Sequence, residues 1–167
     1  ASNIAKPRVF LFLQGPISPF FQQIATRLEG LGHRILRVNF CLGDRLFWWK
    51  KGAINYRGKR EAWPAFIAKM LDEHEVTDIL LLGEQRIHHQ QAISAAKERG
   101  ISVTVTDFGY LRPDWITFEK NGMSRDSLFP RDPDEILALA QASPSPDLKQ
   151  KFSDSFNQMV IWDMIYH

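Results

Sequence analysis

Two groups of chemically capable residues stand out in the 167-residue chain, and each follows a short apolar run. Glu84, Arg86 and His89 come directly after Asp78-Ile-Leu-Leu-Leu82, so an acid, a guanidinium and an imidazole fall within one turn of a strand end. Asp107, Tyr110, Arg112 and Asp114 come directly after Val103-Thr-Val105, with Gly109 permitting a sharp turn and Pro113 stiffening the loop that bears the guanidinium. Carboxylates and imidazoles are the groups of acid–base work, and arginine grips phosphate or carboxylate bidentately. In open α/β sheets, ligands bind in the crevice outside the carboxyl ends of the strands, where both groups would emerge. A third group, Asn55-Tyr-Arg57 before Gly58, offers amide, phenol and guanidinium in a glycine-flanked turn, a clamp for a polar ligand of no particular class.

Each group also has a purely structural explanation. An acidic residue at a helix start is stabilised by the macrodipole without any substrate. Asp107 and Arg112 could pair with each other and pin their loop. His89, Ile93 and Ala96 stand at i, i+4 and i+7, so His89 shares the sheet-facing stripe of a helix; lying in the first turn, it is expected to point toward the crevice. His88 and His89 diverge on that helix and no further ligands recur at metal spacing, so no metal site is expected.

The elements that must position these residues are legible from periodicity. Arg8-Val-Phe-Leu-Phe-Leu13, stopped by Gly15-Pro16, reads as a buried parallel strand. Phe20, Ile24, Leu28 and Leu31 recur at helical spacing before Gly32, and Arg34 to Asn39 forms the next strand, completing a right-handed β-α-β unit. Gln14-Gly15-Pro16 lacks the spaced glycines of a dinucleotide or phosphate-loop fingerprint. Trp63-Pro64 opens a helix with Phe66, Ile67, Met70 and Leu71 as its buried stripe. Asp78 to Leu82, a helix running on to Arg99, and Ser102 to Thr106 repeat the alternation; Trp115 to Phe118 is a short extra strand, Asn121-Gly122 a turn, and Asp134 to Ala142 a helix. The expected fold class is α/β, a Rossmann-like open parallel sheet with helices on both faces, over residues 1–142. Residues 143–147, with Ser143-Pro-Ser-Pro146, read as a linker, and residues 148–167 as a helix that packs back or leads to a further domain.

Bulk composition narrows the function classes. Twenty-one Lys and Arg against nineteen Asp and Glu leave +2, too small an excess to imply a nucleic-acid partner. The single cysteine, Cys41, excludes an internal disulfide framework and reads as a small packing residue. The longest apolar run near the start, Val9 to Leu13, is too short to cross a bilayer, so a soluble or peripheral protein is expected. From Phe40 to Trp63 the pattern loses its period and reads as one long loop. Within it Phe47, Trp48 and Trp49 mix with Arg45, Lys50 and Lys51, which suits either an anionic membrane surface or an anionic, partly apolar ligand; equally, the rings could cap the sheet with the cations solvated.

Gln14-Gly-Pro-Ile-Ser-Pro-Phe-Phe21, Gly83-Glu-Gln-Arg86 with His89, Gly109-Tyr-Leu-Arg-Pro-Asp-Trp-Ile-Thr117 and Phe129-Pro-Arg-Asp-Pro133 resemble the amino-terminal half of the KpsS-like capsule polysaccharide biosynthesis and export proteins. The resemblance implies a glycosyltransferase that moves Kdo from CMP-Kdo to a lyso-phosphatidylglycerol or Kdo-linker acceptor. It implies two facing Rossmann-like domains in a GT-B arrangement with no metal or other cofactor. The CMP-sugar site would lie mainly in the other half, leaving this fragment inactive alone. It also implies other capsule biosynthesis and export proteins as partners, at the cytoplasmic face of the inner membrane. On that basis Asp107 is the first candidate for the essential carboxylate and Glu84 the second. Arg112 would hold the sugar carboxylate or a phosphate, His89 would act as base or phosphate donor, and Arg86, Tyr110, Asn55 and Arg57 would contact substrate. A noncatalytic module that sits on the membrane through residues 47–51 and assembles capsule proteins is the alternative.

Overall fold

A computed structural model describes residues 6–109, 115–122, 127–145, 147, 149, 160–161 and 164. Six strands form one sheet: β1 (Val9–Phe12), β2 (Arg34–Asn39), β3 (Ile54–Asn55), β4 (Asp78–Leu82), β5 (Ser102–Phe108) and β6 (Ile116–Lys120). Their spatial order is β3-β2-β1-β4-β5-β6, the order of a Rossmann sheet, with every pair parallel except the antiparallel β5–β6 edge. The order reverses between β1 and β4, so the chain leaves their carboxyl ends in opposite directions and opens the crevice there.

The pleat sorts the core into two layers. Leu11, Leu13, Ile79, Leu81, Val103 and Val105 face one side, against α3 (Trp63–Glu73) and α4 (Ile87–Glu98). Phe12 and Leu80 face the other, against α1 (Phe20–Gly30). The buried stripe of α3 is Trp63, Ile67, Met70 and Leu71, one turn longer at its start than the expected stripe, with Phe66 at its margin. In α1 the fully buried positions are Phe21 and Ala25, while Leu31 is its exposed C-cap. A ten-residue helix, α5 (Pro133–Ala142), is capped by Asp132, whose side chain accepts from the Glu135 amide at 3.1 Å, and buries none of its residues. The expected linker lies partly, and the expected helix over 148–167 almost entirely, outside the described residues.

The stretch from Phe40 to Trp63 is not the single loop its pattern suggests. It folds into α2 (Leu42–Leu46), the edge strand β3 and one 3-10 turn (Arg60–Ala62), each too short to display a period. What ties it down is a buried ion pair. Arg37 on β2 is 4% exposed and Asp44 in α2 is 1% exposed, and a guanidinium nitrogen lies 3.2 Å from the Asp44 carboxylate. Arg37 also donates to the Asn39 side-chain oxygen at 2.8 Å and to the Leu13 carbonyl, while Asp44 accepts from the amides of Phe40 at 2.8 Å and Cys41 at 3.3 Å. Trp48 lies under the same guanidinium, 5.1 Å from ring centroid to charge, and packs on Phe12. At 6% exposure Trp48 is a core residue and not a lipid contact, and Lys50 is held by Glu29 at 2.5 Å; Trp49 (74% exposed) and Lys51 remain on the surface, with Phe47 between. Asp44→Ala strands the guanidinium without its countercharge and removes the acceptor of two amides. It should cost about 3–5 kcal/mol in urea denaturation, and a loss below about 1 kcal/mol, the range of an exposed pair, would show that something else fastens the segment.

Candidate functional site

The carboxyl ends of β4 and β5 are locked side by side: the Gly83 amide donates to the Thr106 carbonyl at 2.9 Å, and the Thr106 hydroxyl donates to the Leu81 carbonyl at 3.1 Å. Glu84 and Asp107 each follow one partner of the first of these bonds, so the two expected carboxylates do emerge together. Alternation along β5 sets Asp107 on the face of Val103 and Val105, the face that α4 covers. Its carboxylate is exposed and accepts from the Phe108 amide at 2.7 Å. Glu84 lines a cleft of about 330 Å³ along α4 with Gln85, Gln90, Ser94 and Lys97, and Asp107 stands outside that lining.

The loop after β5 returns as β6. Gly109 is buried, its amide donates to the Trp115 carbonyl at 2.8 Å, and a Cβ there would come within 2.6 Å of the Trp115 backbone; glycine is what lets the two ends of the loop close. Tyr110 and Arg112 lie outside the described residues. Pairing with β6 brings in a carboxylate that the sequence reading did not assign. Glu119 is opposite Val105 and therefore on the same face as Asp107, whose own partner is Thr117. Glu119 Oε2 is buried with no hydrogen-bond partner among the described residues. Its position depends on the β5–β6 register, and no local pattern in Ile-Thr-Phe-Glu-Lys120 announces it.

His89 lies in the first turn of α4 on the sheet-facing stripe, and its ring is buried, 1% exposed, against the carboxyl end of β4. Nδ1 is 2.7 Å from the Gly83 carbonyl. A carbonyl only accepts, so Nδ1 carries the proton, and in the neutral ring Nε2 is left as a bare acceptor, buried without a partner among the described residues. Burial is the first cause that brings its pKa down to about 4, reinforced by the charges of Arg86 and His88 and opposed by the Gly83 hydrogen bond and by Asp44. His89 is thus neutral at pH 7. Arg86 is exposed at the N-cap of α4 in extended backbone.

Asn55 and Arg57 lie apart from these groups, at the ends of β2 and β3, where with Asn39 and Arg45 they line a second cleft of about 200 Å³. Of the expected site residues that the structure describes, Glu84 lines the first cleft and Asn55 and Arg57 the second, while Asp107, Arg86 and His89 line neither. Among the described residues no three His, Cys, Asp or Glu side chains are placed to hold a metal ion, and no helix is long and apolar enough to cross a membrane.

Protonating His89 in the fold is harder than in the unfolded chain, so the unfolded state takes up the proton first as pH falls. Stability is full above the ordinary histidine pKa of 6.5 and declines through the window down to about 4. At roughly 1.4 kcal/mol per pKa unit, the whole loss is about 3–4 kcal/mol. His89→Asn, which keeps a donor for Gly83, should flatten that part of the profile of urea-denaturation free energy against pH; an unchanged slope would place the titration elsewhere.

The chain is similar over 140 residues to the capsule polysaccharide export protein KpsS of Escherichia coli, at 36% identity, covering 84% of this chain and 36% of that protein. It is similar over 129 residues to the capsule polysaccharide modification protein LipB of Neisseria meningitidis serogroup A, at 32% identity, covering 76% of this chain and 31% of that one. It thus spans about a third of the length of the curated relatives it matches. Among solved structures, the Bordetella bronchiseptica enzyme WbmH in complex with NAD+ is similar with a TM-score of 0.42 and 14% identity, over 56% of this chain and 37% of that one. Residues 77–167, which begin just before β4 and take in both Glu84 and Asp107, match the family described as capsule polysaccharide biosynthesis protein, and the chain belongs to that family.

Proposed function

We propose that this chain is the acceptor-side, amino-terminal domain of a capsule polysaccharide glycosyltransferase, one half of a GT-B pair. The enzyme would transfer Kdo from CMP-Kdo to a lyso-phosphatidylglycerol or Kdo-linker acceptor at the cytoplasmic face of the inner membrane. The donor site then belongs to a second domain, in keeping with the share of the relatives' length that the chain spans. The observation that supports a catalytic reading most directly is the Gly83–Thr106 hydrogen bond, which sets Glu84 and Asp107 at adjacent strand ends beside the first turn of α4.

Transfer breaks the bond between the anomeric carbon and the CMP phosphate and forms one to the acceptor oxygen. A carboxylate facing the anomeric carbon stabilises the positive charge that develops there or attacks it, as in retaining glycosidases, and a base takes the acceptor proton. Asp107, exposed and on the α4 face, is assigned the first role and Glu84 the reserve. Neutral His89 has a bare Nε2 and is in the protonation state of a base, while Arg86 and Arg112 supply positive charge for the sugar carboxylate or the leaving phosphate. Other capsule biosynthesis and export proteins are the expected partners.

One observation favours a noncatalytic assembly module instead: Trp49 is 74% exposed beside exposed Lys51, a pairing suited to an anionic bilayer surface. The two readings separate in an assay of transfer from CMP-Kdo to a fluorescent lyso-phosphatidylglycerol, using this chain alone and joined to a second domain. Activity only in the joined protein is expected, and there Asp107→Asn should lower kcat by about 10²–10⁴-fold with folding intact. Normal turnover by that variant removes Asp107 from the mechanism. Absence of transfer in both forms, with vesicle binding lost on Trp49→Ala, selects the assembly module.

A further inference from the structure

The cleft at the carboxyl ends of β2 and β3 has a composition unlike the one along α4. Arg45 and Arg57 line it, no acidic residue does, and neither arginine has an ion-pair partner among the described residues. The nearest carboxylate in sequence, Asp44, is buried and engaged by Arg37. The floor is built in a fixed orientation. Arg37 Nε can donate only to an oxygen, so the Asn39 atom it meets at 2.8 Å is Oδ1, and Asn39 Nδ2 then donates to Asn55 Oδ1 at 3.1 Å. This relay consumes the Asn55 oxygen and leaves its Nδ2 as the donor end, without a partner among the described residues.

The wall beside Arg57 is equally set. Tyr56 packs on Phe40 and Trp63, with ring centroids 6.4 and 5.0 Å away, and its hydroxyl donates to the Lys59 carbonyl at 2.6 Å. A Cβ on Gly58 would come within 2.6 Å of that hydroxyl, so the turn that presents Arg57 closes only over glycine. Two exposed guanidiniums, the exposed Asn55 amide donor oriented by buried Asn39, and no carboxylate in the lining form an anion trap. At about 200 Å³ the cleft is smaller than the usual cavity for a drug-sized ligand and suits a compact group.

We propose that this cleft is a phosphate-binding site, in which Arg45 and Arg57 grip the oxygens of a phosphate ester and Asn55 Nδ2 donates to a third. It is separate from the carboxylates of the α4 side and does not depend on the transfer reading. The phosphate could belong to a soluble ester or to a lipid headgroup, and the chemistry at the cleft is the same for both.

The test uses the chain with sn-glycerol 3-phosphate in one arm and phosphatidylcholine vesicles with and without phosphatidylglycerol in the other. NMR follows the Asn39 and Asn55 side-chain amides and the Arg57 backbone amide in the first arm, and co-sedimentation reads the second. Arg45→Gln and Arg57→Gln lie at the exposed rim and should leave the thermal melt unchanged, and Arg27→Gln on α1 is the control of equal charge. Saturable shifts with glycerol phosphate, weakened about tenfold or more by either cleft variant and not by Arg27→Gln, support a soluble ester. Sedimentation only with phosphatidylglycerol vesicles, with the same dependence on Arg45 and Arg57, supports the headgroup. No saturable response in either arm, or responses that Arg27→Gln weakens as much as the cleft variants do, overturns the site. Arg45→Lys and Arg57→Lys guard against a folding artefact: by keeping charge but losing the planar fork they should bind with intermediate affinity, and wild-type affinity in both would overturn bidentate recognition.

Discussion

The buried Arg37–Asp44 pair is the constraint on which this end of the molecule depends. A guanidinium buried within a strand is costly to remove from water, and the cost is offset only where the charge is paired and its hydrogen-bond donors are used. Here the partners come from the end of β1, from β2 itself and from α2. Because they must converge, the chain after β2 cannot leave the sheet freely. It turns at Phe40 and Cys41, whose amides the same carboxylate accepts, and comes back to place Trp48 over the guanidinium.

A second tie works from the opposite face. Trp63 at the start of α3 is fully buried, and its indole nitrogen donates to the His88 carbonyl at 2.9 Å, fastening the first turn of α3 to the first turn of α4. Phe40, Tyr56, Phe66 and the His88 ring pack around it with centroids 4.8 to 5.6 Å from Trp63. The segment held by the ion pair and the helix that carries His89 are thereby parts of one packed unit. His89 is neutral because that unit excludes water, and its Nδ1 bond to Gly83 orients it on the turn that also bears Glu84.

The polar groups at the carboxyl edge separate accordingly. The α4 side carries Glu84 and Asp107 at adjacent strand ends, carboxylates of the kind that stabilise positive charge. The β2–β3 side gathers arginines and oriented amides, an environment suited to holding negative charge. The sheet keeps the two apart, since β1 and β4 stand between β2 and β5.

The local framework is written in the chain's own periodicity. Strands β1, β2, β4 and β5 and helices α1, α3 and α4 were legible because each buries a face along its own length, and such a face writes a period into consecutive residues. The emergence of Glu84 and Asp107 at strand ends followed from the same pattern. Tertiary structure decided everything that rests on partners distant along the chain. Trp48 and Trp49 are adjacent and alike in type, yet one is core and the other surface, because Arg37 and Phe12 receive only one of them. The elements within residues 40–63 are too short to carry a period and exist because Asp44 is held from outside. The face of Glu119 depends on register with β5, and the solvent exposure of His89 depends on how α3 and α4 close over the sheet. Periodicity reports a residue's burial against an average surface; which groups meet there is set by the packing of elements that the sequence separates.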